Sequence, residues 1–175
     1  MTHLLRLLAL SALIFVTACS NPGRFGGFGG FGGDGALDPN AAGNGADPAS
    51  DPTSPAFFSQ TIGDRVLFAV DQSTLSPEAQ SILEQQAVWL MTNADYEAII
   101  EGHADEQGTT EYNIALSARR ANAVREFLVA RGVAGNRLRT LPLGKERPAE
   151  LCAEERCYSA NRRAVTIIST GPALS

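Results

Sequence analysis

Residues 57–171 predict an α/β layer fold in which helices pack on a small sheet. Short apolar runs suited to strands alternate there with longer stretches whose apolar residues recur at helical spacing. Helix start signals stand at Ser76 and at Thr109 or Thr110, and a glycine stop stands at Gly132. Residues 20–56 show neither pattern.

Val66-Leu67-Phe68-Ala69-Val70 is an apolar run of strand length. Ser76-Pro77-Glu78 then supplies an N-cap, a proline at the first helical position and an acid in the first turn. Ala79, Ile82, Leu83, Ala87, Leu90 and Met91 follow at helical spacing as the expected core face. Tyr96 to Glu101 reads as a second strand, and residues 102–108 as a loop bounded by glycines. A long helix follows to Arg131, with Leu116, Ala123, Val124, Phe127 and Leu128 toward the core. Leu138–Leu143 and Ala164–Ser169 read as the third and fourth strands. A domain of this length folds on its own.

The start of the chain reads as an address. Arg6 precedes the apolar run Leu7–Val16, which suits a secretory signal and is too short to span a bilayer. Val16-Thr17-Ala18-Cys19 resembles a bacterial lipobox, which implies cleavage after residue 18 and lipid attachment at Cys19. The rival reading leaves Cys19 as a free thiol after ordinary cleavage. Acyl chains on one cysteine anchor firmly, because each buried methylene contributes roughly 0.8 kcal/mol. Residues 19–56 hold the repeat FGGFGGFGG and a Pro-, Asp- and Asn-rich run. Ten of the 17 glycines fall there, so this stretch reads as a disordered tether that buries too little to offset its entropy.

A net charge of -5 gives no electrostatic reason to expect nucleic acid as partner. Cys152 and Cys157 stand close together ahead of the last strand. In an exported chain that pair favours a disulfide, and zinc is disfavoured because the expected cleavage removes His3 and leaves a single distant histidine, His103.

Polar residues concentrate in the stretch 101–128 beyond what a core helix needs. Asp105 lies in the loop ahead of the long helix, and Asn113 in that helix's first turns. Arg120 is seven residues on, and Leu116 lies between on the same side. Helical side chains lean toward the N-terminus, so Arg120 reaches back toward Asn113 and the Asp105 loop. Such a set suits a zwitterion: a guanidinium for a carboxylate, an acid for an ammonium, and helix amides nearby. The plainer readings pair Asp105 with Arg120 internally and bond Asn113 to the loop backbone.

GHADEQGTTEYNIALSARRANAV resembles the signature of OmpA-like peptidoglycan-binding domains, and within them the branch of Tol–Pal lipoproteins. VLFAVDQSTL, LPLGKERP and NRRAV extend the resemblance over about 65–169. It implies helices on a small mixed sheet and a domain without cofactor. It also implies binding to the meso-diaminopimelate stem of peptidoglycan, with TolB and other Tol proteins as partners. The setting it implies is the periplasmic face of the outer membrane, in envelope integrity and division. By position, Asp105 matches the acid on the diaminopimelate end group and Arg120 the arginine on its carboxylate. Asn113 and Leu116 match helix residues lining the pocket, and Asp71 matches the acid ending the first strand. Arg162 and Arg163 match an element that supports either the pocket or the fold. Ala104 replaces a usual threonine and Val70 a frequent aromatic, which weakens contacts without removing a charged partner.

Two further readings compete. Glu101, His103 and Asp105 alternate and can be drawn as a metal or acid/base set, but three ligands so close in sequence are cramped and no nucleophile has an obvious partner. The expectation is therefore a non-enzyme. An envelope adaptor acting mainly through protein contacts is the alternative function.

Overall fold

The first helical turns begin ahead of the predicted domain. The computed structural model describes residues 47–171. The signal segment, Cys19 and residues 20–46 of the expected tether lie outside the described residues. Within them, Pro48–Ser50 forms a 3-10 turn, and Pro55–Phe57 an α-helical turn that runs into a π-helical turn at Phe58–Gly63. Asp47 caps the first and Ser54 the second. These turns pack on the domain. Phe58 is buried, its ring centroid 5.0 Å from that of Trp89, and Trp89 Nε1 donates to the Pro52 carbonyl at 2.7 Å. The tether boundary drawn at residue 56 thus falls inside structured chain. Only a tertiary contact reveals this, because residues 48–56 carry no periodic pattern of their own.

Strand β1 spans Arg65–Leu67, helix α1 Pro77–Thr92, β2 Tyr96–Gly102, α2 Thr110–Ala130, β3 Leu138–Pro142, α3 Glu155–Asn161 and β4 Arg163–Thr170. The sheet order is β1-β4-β2-β3, with β4 antiparallel to both neighbours and β2 parallel to β3. The expected mixed sheet is what the chain forms. The parallel pair is joined by α2, as a parallel connection requires.

Ser76 and Thr109 cap α1 and α2, each accepting from the amide three residues on. Leu83 and Leu90 of α1 and Val124 and Leu128 of α2 are fully buried, each contributing about 1.5–3 kcal/mol. Met91 faces out instead of into the core, and Trp89 and Gln86 take buried places. Gln86 is tolerated there because its amide donates to Gly63 O at 2.7 Å and accepts from Thr166 Oγ1 at 2.9 Å. On α2, Ala121 is buried whereas Ala123 is only half-buried.

Two local features place the functional loop. A Cβ at Gly102 would lie 2.0 Å from the Ser117 carbonyl oxygen, so only glycine lets the end of β2 press against α2. And β1 stops at Leu67, short of the apolar run: the Phe68 amide still bonds in register to Arg162 O at 2.8 Å, but the chain then turns, with the Gln72 amide on Ala69 O at 3.2 Å. That turn puts Asp71 at a φ of 55°, the one positive value among described non-glycine residues.

Candidate functional site

The segment after β1 and the loop after β2 converge on one guanidinium carried by α2. Arg120 is wholly buried. Its Nε donates to Gln72 O at 2.8 Å, Nη1 to His103 O at 2.8 Å and Nη2 to Ala69 O at 3.1 Å. The guanidinium carbon stands 5.2 Å from the Phe68 ring centroid. Three of its five N–H groups are thereby committed, and one on each terminal nitrogen is left. Burial lowers its pKa to about 10, while Asp105 and Asp71 favour the charged form. It is therefore a cation at neutral pH.

Asp105 is nearly buried and does not pair with Arg120. Its Oδ1 accepts from the Gln107 amide at 3.2 Å, and its Oδ2 faces Arg162 Nη1 at 3.2 Å. Arg162 also donates from Nε to Phe68 O at 3.3 Å and from Nη2 to Glu155. Burial disfavours its charge, but the bonds to Glu155 and Asp105 outweigh that and raise its pKa. The neighbouring Arg163 serves the fold instead. It pairs with Leu67 across the sheet, its carbonyl accepts from the His103 amide at 2.9 Å, and its Nη2 donates to Arg147 O.

Asn113 takes the plainer of its two roles. Its amide donates to Gln107 O at 2.8 Å and to Asp105 O at 3.4 Å, which locks the loop onto α2. Leu116 is buried on the same face of α2. Asp71 is exposed, and Tyr112 Oη donates to its Oδ1 at 3.3 Å. Lys145 donates to Gly108 O at 3.1 Å and closes the other side of the loop. Asp105, Asn113 and Arg120 thus meet at the loop after β2, Asp71 touches Tyr112 of α2, and Asp105 and Arg120 do not form the internal pair of the plainer reading. Tyr112, Lys145, Glu155 and the pairing of Arg162 with Asp105 were missed. Lys145 stands in the LPLGKERP stretch and Arg162 in NRRAV, so both had a signal in the sequence. Tyr112 stands in the GHADEQGTTEYNIALSARRANAV stretch and had one too, whereas Glu155 had none.

His103 is buried, with Nε2 3.4 Å from Glu101 Oε2. Burial, aided by the Arg163 charge, pushes its pKa down to about 4. Cys152 and Cys157 are bonded, with Cα atoms 5.7 Å apart. No group of three or more His, Cys, Asp or Glu among the described residues could hold a metal ion. A groove of about 640 Å³ lined by Pro52, Phe57, Ile62, Val88 and Trp89 shares no lining residue with this cluster.

A profile of the OmpA family matches residues 67–163, the span that holds every element of the cluster. The chain belongs to the OmpA family. It is 52% identical over 126 residues to the peptidoglycan-associated lipoprotein of Mesorhizobium japonicum, covering 72% of this chain and 74% of that one. It is 41% identical over 126 residues to the protein of the same name from Haemophilus influenzae, covering 72% of this chain and 82% of that one. Among solved structures it is similar to the crystal structure of the peptidoglycan-associated lipoprotein from Burkholderia pseudomallei. That likeness has a TM-score of 0.62 and 36% identity, over 70% of this chain and 100% of that one. The C-terminal domain of Helicobacter pylori MotB shares the fold, with a TM-score of 0.58 at 20% identity over 62% of this chain and 85% of that one. As an OmpA-family member the domain is a binding module and not an enzyme.

Proposed function

We propose that this domain binds peptidoglycan non-covalently through the doubly charged end of the meso-diaminopimelate stem. The observation that carries the reading is the buried Arg120. Its three anchored N–H groups fix the plane of the guanidinium, and the two left over suit a bidentate carboxylate. Asp105 supplies the opposite charge for the ligand's ammonium, held in place by Gln107 and Arg162. Asp71, beside Tyr112, stands at the rim. Names of the relatives support peptidoglycan as the target. In this reading Cys19 is lipidated after removal of residues 1–18, and residues from 19 up to the first helical turns form the tether. The protein then links the outer membrane, from its periplasmic face, to the wall. It works there with TolB and the other Tol proteins in envelope integrity and constriction.

Asp105→Asn is expected to abolish pull-down on purified sacculi containing diaminopimelate. Sacculi with lysine in that place lack the second carboxylate and are expected to retain little wild-type protein. Unchanged pull-down by the variant, or equal capture by both wall types, would refute the assignment.

A further inference from the structure

Glu155 lies at the start of α3, outside every segment that resembled the family signature, and no role has yet been attached to it. Its carboxylate is bonded to Nη2 of Arg162, whose Nη1 holds Asp105 at 3.2 Å. Three charges therefore stand in line: acid, guanidinium, acid. The segment that presents Glu155 is fixed from both ends. Cys152 is bonded to Cys157 within α3, and Asn161 accepts from the Ala149 and Glu150 amides at 2.7 and 3.1 Å while donating to Glu150 O at 2.9 Å.

The consequence is electrostatic. Arg162 is buried, so its charge is poorly screened. Alone it would cancel Asp105, and Arg120 close behind would leave the subsite positive, which repels an ammonium. Glu155 offsets the Arg162 charge from the far side and leaves Asp105 free to act as an anion.

We propose that Glu155 is a positioning and charge-setting residue for the ammonium half of the site, acting on Asp105 through Arg162. This rests on the zwitterion reading above. A residue that merely held the fold would alter binding of every ligand alike, whereas a charge-setting residue acts on ligands that carry the ammonium.

The test is titration calorimetry of the folded domain with two soluble muropeptides. One carries diaminopimelate with its free side-chain amine, and the other has that amine acetylated. Wild type is expected to prefer the free amine. In Glu155→Gln, affinity for the free-amine stem is expected to fall by about three- to fivefold, the range open to a partly exposed ion pair. Affinity for the acetylated stem should stay the same, so the preference shrinks. Glu155→Asp keeps the charge and is expected to restore part of it. Equal losses for both stems, or an unchanged preference in Glu155→Gln, would overturn the role of Glu155 while leaving the site itself standing. A wild type that does not distinguish the stems would overturn the zwitterion reading and this inference with it.

Discussion

Arg120 and Arg137 are both guanidiniums caught on backbone carbonyls, at two different places in the domain. Arg137 donates to Tyr96 O at 2.9 Å, Leu90 O at 2.9 Å and Asn93 O at 3.0 Å. It thereby satisfies the orphan carbonyls where α1 ends and ties them to the start of β2. Its Nη2 reaches Tyr96 O as well, and it is only half-buried. Arg120 uses one bond per nitrogen, is wholly buried, and has Asp105 and Asp71 within electrostatic reach. The same donor chemistry thus makes a helix clasp in one region and a candidate binding site in the other. What differs is the number of donors left over and the charges around them.

Substitution separates the two. Arg120→Met leaves the Gln72 and His103 carbonyls without their donor, while Ala69 O keeps the Gln72 amide, and is expected to cost about 3–5 kcal/mol of stability, with loss of sacculus binding even by the molecules that remain folded. Denaturant melts paired with pull-down at low temperature measure both. A variant that folds normally would show that the Arg120 nest is not a structural element.

Acid is expected to weaken the same region next. His103, whose carbonyl receives Arg120, has a folded pKa of about 4 against 6.5 for the free side chain. Its contribution is fully present above pH 6.5. Between 6.5 and 4 the unfolded chain takes up a proton that the native state refuses, so stability falls as pH falls, by at most about 3 kcal/mol. Melts across that window should show the slope in the wild type and a shallower one in His103→Leu. Equal slopes would remove His103 from the account.

The smallest effect belongs to the clasp. Arg137→Met is expected to cost about 1–3 kcal/mol and to leave sacculus binding per folded molecule unchanged. Lost binding there would erase the distinction between the two arginines.

Much of the fold was legible because its signals are local. Ser76 and Thr109 cap the helices they were expected to cap or flank, since a cap acts within three residues of its own backbone. The bounds of α1, α2 and β2 followed from spacing for the same reason. The first strand came out shorter than its apolar run because the chain turns after Phe68, bringing the Ala69 and Gln72 carbonyls to Arg120, and that meeting has no local trace. Met91 and Ala123 were misplaced because periodicity gives the direction of a face but not its width.

The candidate site divides along the same line. The residue types at 71, 105, 113, 116 and 120 could be picked out before any coordinates, because one loop and one helix carry four of them. Their partners could not. Arg162 meets Asp105 across 57 positions, and that meeting depends on β4 lying between β1 and β2. The burial of Arg120 depends on a loop 48 positions away delivering the Gln72 carbonyl. Chain order alone determined that two long helices and four strands form, about where they start, and which charged groups this protein owns. The packed sheet decided which of those charges are matched and which keep donors to spare, because long-range pairing follows from strand order and not from neighbours along the chain.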